Sequence, residues 1–372
     1  MSDISAPDGV VPTLHEQGEV LRFSTTLKPK AFLGLSLKNG LLNLITLTLY
    51  RFWGKTEVRR RVWQGVRLNG DAFEYTGRGV ELFVGFLLAL LVLGLPFLLL
   101  VFGAQFMGPG WAAAILLPFY IFLYWLWGFG VFTAFRYMAS RSTWRGVRFR
   151  LGGSAKSYGL AFLGYILLTG VTMGWYGPMA ERRLAERIWG DLRFGDRRFA
   201  FRSVRSEKVG VYGAFAIGWF GTGVVYSLTI AMAMTVVMAT GMHQNPDDTA
   251  ASFAFMATLY GVMAVGAPLF LLVWAPYRAA ILRSIAAGVT LDKATFRLEV
   301  KALPLFWLTL SNLFMVLITL GFLMPWAQAR ATRFMVERLR AEGVADLETA
   351  RQAGKGPGSG EGLADAFGFS LI

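Results

Sequence analysis

The stretch "TLTLYRFWGKTEVRRR", residues 46–61, joins an apolar run to three consecutive arginines through a tryptophan. Variants of this junction occur twice more, as "TMGWYGPMAERRLAER" from residue 172 and "TLGFLMPWAQARATRF" from residue 319. The three copies align without gaps, and the first two also match beyond the junction, where Trp63 corresponds to Trp189. Repetition at this spacing predicts a duplicated structural unit.

The composition between the junctions is that of a membrane protein. Hydrophobic residues make up 55% of the chain and charged residues 16%, against about 25% charged residues in globular proteins. No charged residue lies between Leu82 and Phe135, in 209–246 or in 249–277. Because a spanning helix needs about 20 apolar residues, the first run predicts two spans with a turn at 103–110. Each of the other runs predicts one span.

Several classes of function are disfavoured by the residue types. The chain has no cysteine, which excludes disulfides and thiolate metal sites. Its net charge of +14 is explained by basic cytoplasmic loops, so we expect no nucleic-acid binding. The first 20 residues are acidic and have no apolar core, which predicts no cleavable signal peptide.

Residues suited to catalysis are few. The two histidines are His15 and His243, and His243 near Asp247 and Asp248 is better explained by a solvated loop than by a metal site. Glu181 and the glutamate five residues later lie among arginines and are interpreted as surface ion pairs. Walker, GxSxG and HExxH motifs are missing from the sequence. We therefore expect no enzyme activity, no catalytic or metal-binding residues and no cofactor.

The distribution of basic residues predicts the topology. If all seven apolar segments crossed the bilayer, Lys and Arg would be shared almost equally between the two sides. If only the two long pairs crossed, all but Lys38 of the 37 basic residues would lie on one side. The positive-inside rule favours four spans, with both termini cytoplasmic in a bacterial inner membrane.

The apolar part of each repeated unit is short in this arrangement. The segments 32–46, 160–171 and 305–318 would be roughly 18–22 Å long as helices, and a bilayer core is about 30 Å thick. They are predicted to be broken helices that re-enter or lie at the interface. Seven ordinary spans remain the alternative, since the third unit is uncharged from Ala302 to Ala329.

Short alternating segments follow the junctions. "VRLNGDAFEY" (66–75) has an Asn-Gly turn between strand-like flanks, and 192–201, 289–300 and 20–27 are similar. They predict small β-hairpins beneath the membrane, with plain loops as the alternative. The predicted fold is an all-α polytopic membrane protein with internal repeats and small cytoplasmic β-hairpins, containing either four spans and three re-entrant helices or seven spans.

The predicted organisation has five parts. They are a cytoplasmic N-terminal segment with a strand (1–30), a first repeat (31–157), a second repeat (158–302), a third partial repeat (303–340) and a flexible tail (341–372).

Three groups of residues are candidates for a role. The predicted helix-break motif consists of Thr46, Tyr50, Trp53, Thr172, Gly174, Pro178, Thr319, Gly321, Pro325 and Trp326. Predicted contacts to anionic lipid headgroups are Arg59, Arg60, Arg61, Arg182, Arg183 and Arg187, for which fixing the topology alone is the competing explanation. Polar residues that either join helices or line a path are Asn39, Asn43 and Asn312.

The junction also carries a resemblance to a known family. The sequence from residue 21 to residue 83 resembles the YjgN-like family of bacterial inner-membrane proteins, and the similarity extends to about residue 340. Thr48 stands where the family has glycine and Phe52 where it has proline, whereas the third copy keeps Gly321 and Pro325. The resemblance implies an inner-membrane location and a shared fold, but no catalytic residues, because the family's function is unknown. The matching positions are Thr46, Leu47, Tyr50, Trp53, Arg59, Arg60, Gly70, Phe73 and Tyr75.

Two functions are compatible with these observations. The first is a binding or membrane-organising protein whose basic cytoplasmic face contacts anionic phospholipid. The second is a transporter or channel for a small solute or lipid, with a path between the repeats. Protein partners and the oligomeric state are not predicted.

Overall fold

A computed structural model of the chain describes residues 19–202, 210–240, 249–347 and 350. The first 18 residues with His15, the loop 241–248 with His243, and the tail from residue 351 lie outside the described residues.

The long uncharged runs form two long hairpins of helices. In each of them one helix leaves a β-strand and a second helix returns to the next strand. The structure contains four helical segments that are long and apolar enough to cross a bilayer, which indicates a membrane protein. The first long hairpin contains α3 (Gly79–Ala89), a π-helical turn (Leu90–Gly94), α4 (Leu95–Ala104) and α5 (Pro109–Arg141), and the second contains α8 (Val211–Thr240) and α9 (Thr249–Gly288).

The three repeated units form three short hairpins. Each begins with an apolar helix of 13 or 17 residues, about 20 or 26 Å long, and turns back at the junction into a basic helix. Both ends of each short hairpin join neighbouring strands of one sheet, so each short hairpin starts and ends at the same edge of the strands. The short hairpins are α1 (Leu33–Ile45) with α2 (Arg51–Gly65), α6 (Ala155–Val171) with α7 (Gly177–Asp191), and α10 (Ala302–Ile318) with α11 (Met324–Val336).

A threonine holds the break in each short hairpin. The hydroxyl of Thr172 donates to the carbonyl of Leu168 at 2.7 Å and accepts from the backbone N–H of Tyr176 at 2.9 Å. Thr46 and Thr319 make the same pair of bonds. Each threonine therefore satisfies backbone groups on both sides of the break.

The residues after each threonine adopt left-handed backbone conformations. Gly174 and Gly321 have φ of 94° and 88°, and Thr48 has φ of 71° at the corresponding position. The N–H of Gly174 bonds to the carbonyl five residues earlier at 2.7 Å, as in a Schellman helix end. The next helix then starts with Pro178 or Pro325 in its first turn in the second and third units, where proline loses no hydrogen bond.

Ten of the twelve β-strands in the described residues form one large sheet, so the predicted all-α fold with small separate hairpins is wrong. Ten strands, β2 to β11, pair antiparallel in sequential order, and the last contacts the first to give a nearly closed barrel. The strands are β1 (Glu19–Val20), β2 (Phe23–Thr25), β3 (Val66–Leu68), β4 (Asp71–Tyr75), β5 (Ser142–Trp144), β6 (Val147–Leu151), β7 (Leu192–Phe194), β8 (Arg197–Phe201), β9 (Val289–Leu291), β10 (Ala294–Leu298), β11 (Leu339–Glu342) and β12 (Val344–Ala345).

The connections explain how the barrel and the helices are combined. Tight turns join β3 to β4, β5 to β6, β7 to β8 and β9 to β10, and the helical hairpins make the five alternate connections. Asn69 and Gly70 have positive φ at the first turn, as a two-residue type I′ turn requires. Because antiparallel strands alternate in direction, all five helical hairpins leave the same rim of the barrel.

The ends of the described chain also belong to the sheet region. β1 pairs with β12 as a separate two-stranded ladder, with Glu19 opposite Ala345. The predicted tail begins inside β11, and residues 341–342 and 344–345 belong to strands, with Gly343 between them.

Aromatic side chains line the inside of the barrel. Phe149 and Phe194 lie on neighbouring strands with ring centroids 4.9 Å apart, and Trp144 packs on Phe194 at 5.7 Å. Phe23 contacts Phe296 at 6.2 Å across the seam. The period-two alternation of these strands places the aromatics inside and the charged residues outside.

Candidate functional site

The common rim brings the basic helices to one level of the molecule. The far ends of the short hairpins are apolar: Leu47, Met173 and Leu320 at the three breaks are 84%, 77% and 89% exposed. The near ends carry the arginines and lead into the strands. Exposed apolar tips above a charged layer match the boundary between hydrocarbon and headgroups.

Arg59, a predicted lipid contact, is an interior residue. It is only 3% exposed, and its Nη1 lies 3.4 Å from the hydroxyl of Tyr75 in β4. Burial raises the pKa of Tyr75, and the positive charge of Arg59 opposes that rise. Arg59 therefore fastens α2 to the barrel and does not face lipid.

The other predicted arginines lie at the surface with partners. Arg61 pairs with Glu57 at 3.1 Å, and Arg183 pairs with Glu186 at 3.5 Å. Arg187 donates to the hydroxyl of Ser157 at 3.3 Å. Arg60 is exposed and Arg182 is half-buried. Exposed ion pairs of this kind are weak, so Arg61 and Arg183 remain accessible to another anion.

A row of arginines that the sequence analysis missed crosses the outside of the barrel. Arg150 in β6 stands opposite Arg193 in β7, and Arg193 stands opposite Arg198 in β8. All three side chains are exposed. We call Arg150, Arg193 and Arg198 the arginine row. Like charges directly opposite one another on a sheet are destabilising, so this row needs a compensating anion.

Compensation within the protein is incomplete along the row. Arg198 lies 3.3 Å from Asp191, but among the described residues no carboxylate pairs with Arg150 or Arg193. A second pair of opposed arginines, Arg297 and Arg340, has a carboxylate near each member. Two of the three members of the arginine row, Arg150 and Arg193, therefore have no carboxylate partner among the described residues.

Arg297 and Arg340 give an internal comparison. Arg297 lies 3.2 Å from Glu342, and Arg340 lies 3.8 Å from Glu299. In both the pair Arg150 and Arg193 and the pair Arg297 and Arg340, two exposed arginines lie directly opposite each other on neighbouring strands. Of these four arginines, only Arg297 and Arg340 have acidic partners among the described residues.

The asparagines of the short hairpins join helix to helix. Asn39 donates to the carbonyl of Gly54 at 3.4 Å, and Asn312 donates to the carbonyl of Ala327 at 3.4 Å. Asn43 is half-buried, and its side-chain oxygen accepts no hydrogen bond from the described residues.

A second polar link between the helices differs chemically between the first and third units. Lys38 pairs with Glu57 at 2.7 Å, and this bond raises the pKa of Lys38. The corresponding link in the third unit joins Ser311 to Arg330 at 2.7 Å.

Carboxylates and histidines do not assemble a metal site in the described ranges. Glu181 lies 3.9 Å from Arg278 of α9, so this carboxylate contacts the second long hairpin. His243, Asp247 and Asp248, which were considered as a metal site and interpreted as a solvated loop, lie outside the described residues.

The fold and this surface define a class of protein: a membrane protein in which helical hairpins stand on one rim of a β-barrel with a basic exterior. Residues 20–366 match the family of bacterial proteins of unknown function DUF898, and the chain belongs to that family. This match confirms the resemblance to the YjgN-like family. No curated protein and no solved structure matches the chain.

Proposed function

We propose that this protein binds anionic phospholipid headgroups through the arginine row and the exposed arginines of the short hairpins, without catalytic turnover. The observation that supports this most strongly is the pair Arg150 and Arg193, which are opposed, exposed and without an acidic partner among the described residues. The binding surface would lie on the cytoplasmic face of a bacterial inner membrane, because basic residues concentrate on that side.

The chemistry of arginine suits this ligand. A guanidinium can hold a phosphate through two parallel hydrogen bonds. Basic residues near an anionic membrane surface contribute about 1 kcal/mol each to binding. The row offers adjacent guanidinium groups to one or two phosphates, and a phosphate between them would also relieve their mutual repulsion.

Transport of a small solute or lipid is the second candidate, and the asparagines do not favour it. Asn39 and Asn312 are engaged with backbone carbonyls of the next helix, which leaves them a structural role. Net flux of a solute or lipid in proteoliposomes above that of empty vesicles would favour transport over headgroup binding.

The test compares two double variants with the same change in net charge. Arg150→Gln with Arg193→Gln removes the uncompensated pair, and Arg297→Gln with Arg340→Gln removes the compensated pair. Each protein is purified into nanodiscs of phosphatidylethanolamine containing a minor fraction of cardiolipin or phosphatidylglycerol. The anionic lipid retained after delipidation is then quantified by native mass spectrometry.

We expect the first double variant to retain about thirtyfold less anionic lipid, since two contacts of about 1 kcal/mol each are lost. The second double variant should stay within about threefold of the unmodified protein. Equal retention by both variants and the unmodified protein would contradict the proposal. An equal loss of anionic lipid in both variants would mean that the lipid is attracted by net charge alone and not by a specific site.

A further inference from the structure

The barrel contains a large, partly open apolar cavity below the rim that carries the helices. Its volume is about 550 Å³, and its walls combine inward side chains of the strands with side chains from the helices that return to them. Leu68, Phe149 and Phe194 represent the strands, and Met138 and Ile285 represent the helices. Protein interiors are close-packed, with few voids larger than a water molecule, so a cavity of this size is a feature of the fold that calls for a function.

Two of the three indole N–H groups at the wall and the hydroxyl of Ser142 are already bonded within the protein. The indole N–H of Trp63 donates to the hydroxyl of Ser142 at 2.8 Å, and that hydroxyl donates to the carbonyl of Met138 at 2.8 Å. The indole N–H of Trp144 donates to the carbonyl of Asp71 at 3.3 Å. A polar ligand would lose its hydrogen bonds to water on entering and gain few in return.

We propose that the barrel cavity binds a single hydrocarbon chain, as a free fatty acid or as one acyl chain of a phospholipid. An apolar cavity of about 150 Å³ already holds a benzene molecule, and this one has several times that volume. Its size falls in the range of about 300–1,000 Å³ usual for small-molecule sites. A chain would restore the dispersion contacts that the lining side chains lack across the void.

The position of the cavity identifies the bilayer as the source of the chain. Phe135 of α5, Ile188 of α7 and Leu282 of α9 form part of the wall next to the helices. α5 and α9 continue into segments that can cross a membrane. A hydrocarbon chain could therefore pass along apolar helices without crossing water, while its polar head stays at the rim. This proposal does not depend on headgroup binding by the arginine row, which lies on the opposite surface of the strands.

The experiment uses two photoactivatable probes with the full-length protein in nanodiscs. One is palmitic acid with a diazirine in its chain, and the other is zwitterionic phosphatidylcholine with the same group in one acyl chain. Cross-linked residues are mapped by peptide mass spectrometry. Ala286→Phe and, separately, Ala139→Phe fill the cavity from two helices, and Ala257→Phe makes the same change on an exposed turn of α9. Thermal unfolding selects the variants that retain the fold.

We expect cross-links on inward barrel residues such as Leu68, Phe149 and Phe194, reduced at least tenfold by a folded cavity-filling variant and unchanged in Ala257→Phe. Labelling by the fatty acid alone identifies a free acid as the ligand, and labelling by the phospholipid identifies a membrane lipid. No labelling of the barrel interior by either probe would overturn the proposal, as would undiminished labelling in the folded filled variants. The Arg150→Gln, Arg193→Gln protein should label normally, so the two proposals can fail separately.

Discussion

At the scale of single residues, the repeated threonine explains why the junction recurs. Its hydroxyl bonds to both sides of the break in all three copies, and the next two residues turn through left-handed conformations. The sequence shows the threonine in all three copies, and the glycine and the proline at fixed spacing in the second and third, so the position of the break is predictable. The interior location of Arg59 was not, because its partner Tyr75 comes from a strand beyond the helix.

The first copy contains a local conflict that can be tested. Thr48 has φ of 71° where the other copies have glycine, and a left-handed conformation costs a non-glycine residue about 1–2 kcal/mol. Thr48 is exposed, so Thr48→Gly should raise the free energy of unfolding in detergent by about 1 kcal/mol after the entropic cost of glycine.

The reverse change serves as the matched variant. Gly321→Thr, at a position where a Cβ would meet no other atom, should lower the free energy of unfolding by about 1 kcal/mol. Chemical unfolding followed by circular dichroism measures both values. A destabilised Thr48→Gly or an unaffected Gly321→Thr would contradict the argument from backbone strain.

At the scale of elements, individual strands were easier to predict than their partners. The segments 66–75, 192–201 and 289–300 were predicted from alternation and turn residues, and each contains two strands. The similar segment 142–151 was missed, although Arg145 and Gly146 form its turn with positive φ. The pairing of β4 with β5 or β6 with β7 could not be predicted, because a helical hairpin separates the partners and no local pattern specifies which edges meet.

Neighbouring residues of β7 should respond oppositely to truncation. Phe194 is buried inside the barrel, so Phe194→Ala should lower the free energy of unfolding by about 3–5 kcal/mol. Arg193→Ala should cost less than about 0.5 kcal/mol, or stabilise the protein, because it removes a charge placed opposite two other arginines. Unfolding titrations in lipid-free detergent measure both, and similar losses would contradict the assigned inward and outward faces.

At the scale of the whole molecule, one barrel organises five helical hairpins. The distribution of Lys and Arg along the sequence predicts that the basic segments lie on one side of the membrane. The structure gives a reason, because these segments lead into the strands of one sequentially paired sheet. Barrel closure was not predictable, because strands of three to five residues show their alternation only over a few positions. Barrel closure creates the cavity, and the pairing of β6, β7 and β8 creates the outer arginine row, so neither could be inferred from the sequence.

All strand turns should lie on one side of the membrane, and the short hairpins should not cross it. Single cysteines replacing Glu74, Asp196 and Thr249 in the cysteine-free chain can be probed with an impermeant maleimide in spheroplasts, before and after permeabilisation. Glu74 and Asp196 lie in the barrel region on either side of α6 and α7, and Thr249 begins α9 at the far end of the second long hairpin. We expect Thr249→Cys to label in intact spheroplasts and the other two only after permeabilisation. If Asp196→Cys labels in intact spheroplasts while Glu74→Cys stays protected, the short hairpin of α6 and α7 crosses the bilayer. That result would rule out the topology proposed for the short hairpins.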